Sequence, residues 1–76
     1  MSAYNEYVGK VIKEARERLR YKQWEVAEKV GITRSAYSQY EIGKNAISME
    51  TWLKIAQVLE LDAYQVMKDA QAFATK

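Results

Sequence analysis

The sequence has no cysteine, no histidine and no proline, and only three glycines among its 76 residues. Without cysteine it can form neither disulfides nor Cys-based zinc sites. Without histidine it lacks the commonest general base and the commonest transition-metal ligand. We therefore expect no metal and no small-molecule cofactor. The absence of proline and the scarcity of glycine favour helices along the whole chain.

Long hydrophobic runs are also missing. No apolar run approaches the roughly 18 residues that a membrane-spanning helix needs, and residues 1–10 carry no signal-peptide core. We therefore expect a cytoplasmic protein that makes no membrane contact. About half of the residues are hydrophobic, which suits one small domain over residues 1–76. No appended domain for small-molecule sensing is expected after residue 76.

An excess of charge of one sign is lacking too, since the net charge is only +2. Residues 1–45 hold nine Lys or Arg against six Asp or Glu, whereas residues 46–76 hold three against four. A mildly basic N-terminal part suits an anionic partner. A solvated surface of mixed charge explains the same asymmetry.

Hydrophobic spacing and capping residues predict five helices, and hence an all-α, compact five-helix bundle. The first covers about 6–20, the second about 23–30, and the third runs from its cap Thr33 to about residue 40. Ser48 caps the fourth and Asp62 the fifth. The core is expected over about 6–68, with 69–76 as a helix extension or tail. One stripe of the fourth helix is predicted to face the core, namely Met49, Trp52, Leu53, Ala56 and Leu59.

A repeated pairing supports these boundaries. A hydrophobic residue before the cap pairs with the fourth helical residue in four of the five helices, a pattern known as the hydrophobic staple. The pairs are Tyr21–Val26, Ile32–Tyr37, Ile47–Trp52 and Leu61–Val66. The second helix has a poor cap, because the Lys22 side chain offers no acceptor, and this costs roughly 1 kcal/mol relative to Ser or Thr.

The second and third helices, joined by a tight Gly31-Ile32 turn, are typical of a helix-turn-helix. The string QWEVAEKVGITRSAYSQYEIGK resembles the lambda-repressor-like, Xre/Cro type of helix-turn-helix family. The resemblance covers about residues 8–68. Its matching features are Gln23, Ala27, Gly31, Glu41, Gly43 and LKIA at 53–56. The departures are Lys22 in place of a Ser/Thr cap, Ala46-Ile47 in place of Asn-Pro, and Trp24 at a commonly polar position.

This resemblance implies a bundle that binds double-stranded DNA in the major groove and regulates transcription. A repressor or controller protein acting as a homodimer on a palindromic operator is the expected form. The resemblance also implies a structural ion pair between Arg16 and Glu41.

The third helix carries a polar face that suits base reading, because the second helix of such a motif lies in the major groove. Residues 34, 35, 38 and 39 share that face, whereas Tyr37 and Tyr40 should pack inward. An arginine can read guanine through two hydrogen bonds, a glutamine can read adenine, and serines can serve either base. The predicted base-reading residues are therefore Arg34, Ser35, Ser38 and Gln39.

Phosphate contacts are expected around this helix. The N-terminus of the second helix favours an anion, and basic side chains lie near both ends of the motif. The candidates are Gln23, Thr33, Lys44, Lys22 and Arg20. The basic cluster at the end of the first helix fits plain solvation as well as phosphate contact.

A dimer interface is expected on the fifth helix and its extension. Four residues lie there at helical spacings beyond what the core needs, namely Tyr64, Met67, Ala70 and Phe73. The alternative is that the residues around Phe73 fold back on the bundle or fray.

Two other functional classes are alternatives to DNA binding. A protein–protein interaction module, such as an adaptor or antitoxin, would be favoured if Tyr4, Tyr7, Tyr21 and Trp24 formed one exposed patch. An enzyme is disfavoured, because the sequence offers no nucleophile–base pair.

Overall fold

The computed structural model describes residues 2–75, and these residues form five α-helices and no strand. The all-α five-helix fold predicted from the sequence is thereby confirmed. The helices are α1 Ala3–Arg18, α2 Gln23–Val30, α3 Arg34–Glu41, α4 Met49–Val58 and α5 Ala63–Ala74. The predicted domain of 1–76 includes Met1 and Lys76, which lie outside the described residues.

Helix starts follow from the local sequence. In four helices the residue before the first turn accepts a hydrogen bond from the backbone N–H three residues later, at 3.0–3.2 Å. These caps are Ser2, Thr33, Ser48 and Asp62. The α2 helix follows the cap residue Lys22, whose side chain makes no cap hydrogen bond. The Glu25 carboxylate accepts from the Lys22 backbone N–H instead, at 2.8 Å, which satisfies one N–H at this helix start.

The core forms where α1 packs against α3 and α5, and where α2 packs against α3 and α4. Its largest fully buried side chains are Ile12, Val26, Tyr37, Ile55 and Leu59. Burial of each aliphatic member stabilises the fold by about 1.5–3 kcal/mol. In all four predicted staples the residue before the cap packs against the core and its predicted partner is buried.

Two features differ from the prediction. The α1 helix starts at Ala3 rather than at about residue 6, because Ser2 caps it. The α5 helix continues to Ala74, so of the two predicted alternatives for this end of the chain, residues 69–74 follow the helix extension. On α4 the predicted stripe is partly wrong. Met49 and Leu53 are about half exposed, and Ile55 takes the buried position because α2 and α5 pack against that side of the helix.

Gly9 brings α1 and α3 into close contact. A Cβ atom at this position would lie 2.5 Å from the backbone oxygens of both Tyr40 and Glu41. Only a residue without a side chain therefore permits this crossing. The crossing sets the position of the C-terminal end of α3 relative to the rest of the bundle.

Glu60 ends α4 in the left-handed backbone conformation, with φ of 58°. The following N–H of Leu61 closes the helix end on the carbonyl oxygen of Ala56 at 2.8 Å. A non-glycine residue is strained there, so Glu60→Gly is expected to raise the free energy of unfolding by about 0.5–1 kcal/mol. Urea unfolding measures this. Gln57→Gly, one turn earlier in right-handed helix, should instead lower the free energy of unfolding by about 1 kcal/mol. A loss of stability in Glu60→Gly would contradict the strain argument.

Candidate nucleic-acid interface

The α2 and α3 helices form the predicted helix-turn-helix around the turn at 31–33. Gly31 has φ of 89°, and its N–H donates to the carbonyl oxygen of Ala27 at 2.9 Å. Ile32 donates to the same oxygen at 3.0 Å and packs against the core, which fixes the angle between the two helices. Thr33 then caps α3, so only Gly31 and Ile32 lie between the end of α2 and the cap of α3.

The α3 helix presents its polar side chains outward and its aromatic side chains inward. Arg34 and Ser35 are exposed, and Ser38 and Gln39 are half-buried. Tyr37, on the opposite side, is fully buried. The four predicted base-reading residues thus lie on one accessible side of the helix. A row of guanidinium, hydroxyl and amide groups can both donate and accept hydrogen bonds, as base edges require.

The Tyr37 hydroxyl is buried and has no hydrogen-bond partner among residues 2–75. Burial and the neighbouring Glu41 carboxylate raise the pKa of Tyr37 well above its ordinary value of 10.0. The hydroxyl therefore stays neutral at physiological pH. The gain from burying the Tyr37 ring outweighs the cost of leaving its hydroxyl unpaired.

Gln39 is tied to the loop that follows α3. Its backbone oxygen accepts from the N–H of Lys44 at 3.0 Å, and its side-chain Oε1 accepts from the side-chain Nδ2 of Asn45. Asn45 is not among the predicted site residues, because an asparagine after Gly43 is as typical of a turn as of a site. Its position in the loop after α3 is the signal that the sequence offers.

Arg16 and Glu41 form the ion pair that the resemblance implies. Arg16 Nε donates to Glu41 Oε2 at 2.6 Å and Nη2 donates to Oε1 at 3.2 Å, with both side chains largely buried. Arg16 Nη1 also donates to the backbone oxygen of Tyr21 at 2.9 Å. The pair therefore connects α1 to α3 and to the segment before α2.

Gln23 completes this network. Its Nε2 donates to Glu41 Oε1 at 3.0 Å, which holds α2 against α3. The phosphate contact predicted for Gln23 stays a prediction, and the unpaired backbone amides in the first turn of α2, which favour an anion, support it.

The pKa of Glu41 is lower than its ordinary value of 4.5. Burial alone would raise it, but the hydrogen bonds from Arg16 and Gln23 stabilise the carboxylate and outweigh burial. Glu41 is therefore ionised at neutral pH, and the pair is a charged one.

The other predicted phosphate-contacting residues flank the α3 helix. Thr33, Lys44, Lys22 and Arg20 are all exposed. Thr33 Oγ1 accepts from the N–H of Ala36 as a cap, which leaves its hydroxyl hydrogen available to a phosphate oxygen. Arg20 and Lys22 lie on the connection between α1 and α2, at the start of the motif.

The four predicted dimer-interface residues differ in how far they are exposed. Tyr64 is 71% exposed, Met67 is half-buried against the core, and Phe73 lies with its ring centroid 5.3 Å from that of Tyr7. Ala70 is fully buried, so its assignment to a surface interface is wrong: α5 packs on α1 along the side that carries Ala70. Phe73 lies on the continuous α5 helix and is 47% exposed, so its place in an interface stays a prediction.

Other kinds of site find no support in residues 2–75. No group of three or more acidic side chains there could hold a metal ion. Within the same range, no helix has the length and the apolar character to cross a membrane.

Comparison with known proteins agrees with this geometry. The family model for helix-turn-helix matches residues 12–65. The chain is 33% identical over 64 residues to the SPbeta prophage-derived uncharacterized HTH-type transcriptional regulator YonR of Bacillus subtilis (strain 168). It is 32% identical over 57 residues to the uncharacterized HTH-type transcriptional regulator YqaE of the same organism. The two matches cover 84% and 75% of this chain but only 59% and 49% of those relatives.

Among solved structures, the chain is similar to the clp gene regulator ClgR from Corynebacterium glutamicum, with a TM-score of 0.82 at 20% identity. That similarity covers 91% of this chain and 73% of ClgR, and it shows the fold. The family match spans most of the chain and contains the turn, the α3 helix and the ion pair described above. The chain therefore belongs to the helix-turn-helix family of the Xre, lambda-repressor-like type.

Proposed function

We propose that this protein binds double-stranded DNA sequence-specifically and regulates transcription, as a repressor or controller protein. The observation that carries the proposal is the accessible polar side of α3, with Arg34 and Ser35 exposed at its N-terminal end. In helix-turn-helix proteins these are the positions that enter the major groove. The relatives YonR and YqaE, which are named as transcriptional regulators, support the same function.

The alternative of a protein–protein interaction module loses its main support. Tyr4, Tyr7 and Tyr21 are half-buried against the core, and only Trp24 of the four aromatic residues is more than half exposed. Titration of random duplex DNA at rising salt separates the two functions. For a DNA-binding protein, the logarithm of the association constant should fall linearly with the logarithm of the salt concentration. Each phosphate contact should contribute about one to this slope. Absence of any duplex binding at low salt would favour the interaction module.

Arg34 and Lys44 are expected to contribute differently to DNA binding. Arg34→Ala should weaken binding to the selected site by about 1–3 kcal/mol and relax the preference at one base position. Lys44→Ala should weaken selected and random duplexes alike and reduce the salt slope by about one. Fluorescence anisotropy on a site selected from a random pool measures both. Equal losses on both duplexes for Arg34→Ala would make Arg34 a phosphate contact.

We propose that the protein acts as a homodimer on a palindromic operator. One helix in one groove reads few base pairs, and a two-fold axis doubles the readout at a spacing of about 34 Å. Because Ala70 is buried, we place the proposed interface on apolar side chains near the start of α4 and α5. Met49 and Met67 line the same surface cavity, and Leu53 and Tyr64 are exposed on the same two helices.

Leu53→Asp tests this dimer. Leu53 is 52% exposed, so the change should leave the fold intact while placing an unpaired carboxylate in the interface. We expect sedimentation with a palindromic duplex to show two wild-type protomers per duplex. For Leu53→Asp we expect at least a roughly tenfold loss of affinity for the same duplex. Gln57→Asp, one turn further along α4, adds the same charge as a control. Wild-type affinity of Leu53→Asp would place the interface elsewhere.

A further inference from the structure

The loop after α3 places one polar side chain, that of Asn45, against α3. Gly43 has φ of 75° and turns the chain, and a Cβ there would lie 2.7 Å from Glu6 Cα, so the turn is pressed against α1. The Lys44 N–H then donates to the backbone oxygen of Gln39 at 3.0 Å. Residue 45 is therefore placed beside Gln39 by the backbone itself.

We propose that Asn45 sets the orientation of the Gln39 side-chain amide and so determines which base pair Gln39 prefers. This inference rests on the proposed function. Asn45 Nδ2 donates to Gln39 Oε1, which fixes the oxygen of the amide on the side of Asn45 and its nitrogen on the other side. No acceptor within residues 2–75 takes a hydrogen bond from Gln39 Nε2, so both N–H groups remain available to DNA.

Amide orientation matters because adenine presents an ordered pair of groups in the major groove. Its N6 amino group donates and its N7 accepts, so a glutamine reads it only with the oxygen toward N6 and the nitrogen toward N7. A glutamine that can turn by 180° matches either orientation of the base pair. A glutamine held in one orientation distinguishes A·T from T·A. Since Oε1 has two lone pairs, it can accept from Asn45 and from adenine together.

The pair gains strength in the bound state. In the free protein Asn45 is exposed, where water competes for the hydrogen bond and its net contribution is small. Water is excluded when the reading face enters the groove, and a hydrogen bond in that environment is electrostatically stronger. Asn45 is thus a positioning residue that acts through Gln39.

Three variants test the proposal by selecting bound duplexes from a random pool and comparing base preferences within each protein. Wild type should prefer one orientation of an A·T pair at one position per half-site by about 5- to 150-fold. Asn45→Ala should lose most of that preference while keeping its preferences at the other positions. Asn45→Asp can only accept a hydrogen bond, so it should hold Gln39 Nε2 instead and shift the preference toward the opposite orientation.

Gln39→Ala serves as the reference, and it should lose the preference at the same position as Asn45→Ala. The double variant should lose no more than either single variant. If Asn45→Ala loses folding stability but retains the wild-type base preference, Asn45 only closes the loop, and the proposal is overturned. If wild type itself enriches no sequence from the pool, the failure lies with the proposed function and not with this pair.

Discussion

Replacing Glu41 by alanine is expected to lower the free energy of unfolding by about 3 kcal/mol. The carboxylate accepts hydrogen bonds from Arg16 and Gln23, and the Arg16 side chain is only 13% exposed. Removal of the carboxylate leaves a buried guanidinium without its counter-charge, and that uncompensated charge causes most of the loss. A domain of this size is stabilised by roughly 4–11 kcal/mol in total, so the loss is a large fraction. Urea unfolding with circular dichroism measures it.

Two further variants serve as controls for the Glu41→Ala measurement. Glu28→Ala removes an exposed glutamate from α2 and should change the free energy of unfolding by less than about 0.5 kcal/mol. Arg16→Met combined with Glu41→Leu removes both charges and should recover much of the loss, because paired removal leaves no unpaired charge. A Glu41→Ala protein as stable as wild type would show that the pair contributes nothing to the fold.

The same carboxylate predicts the dependence of stability on pH. The pKa of Glu41 is lower in the folded state than its ordinary value of 4.5, so the unfolded chain binds its proton first as the pH falls. The contribution of Glu41 is therefore complete above about pH 5 and declines as the pH drops toward the folded-state pKa. Glu41→Gln should flatten this part of the stability profile.

Gly9→Ala is expected to destabilise the protein by about 2–3 kcal/mol, although alanine is the better helix former by about 1 kcal/mol. The added methyl group would meet two backbone oxygens at 2.5 Å, and neither belongs to a side chain that could rotate away. The α1 and α3 helices must therefore separate. Because α3 carries the residues proposed to read bases, DNA affinity should fall together with stability.

Gly31 provides a contrast to Gly9. Its φ is 89°, but no atom lies within 4 Å of where a Cβ would be. Gly31→Asn should therefore be tolerated with a loss of about 1 kcal/mol or less, since asparagine adopts the left-handed conformation more easily than most residues. Comparable losses in Gly9→Ala and Gly31→Asn would show that the close helix crossing is not the source of the Gly9 effect.

The sequence by itself determined the features that depend on neighbours along the chain. A cap residue and its staple lie within six positions of each other, so Thr33, Ser48 and Asp62 marked three helix starts correctly. Glycine at residue 31 marked the turn for the same local reason. The polar face of α3 followed from helical periodicity once its boundaries were known.

Only the tertiary structure decided which side of each helix is covered. Periodicity shows that a stripe is apolar, but the packing partners select the buried residues. On that basis Ile55 is buried while Met49 and Leu53 are exposed, and Ala70 belongs to the core rather than to an interface. Gln23 turns to Glu41 and Asn45 reaches Gln39 through contacts across 18 and 6 residues. Such contacts depend on how distant segments are brought together, and hydrophobic periodicity and local capping rules carry no information about that.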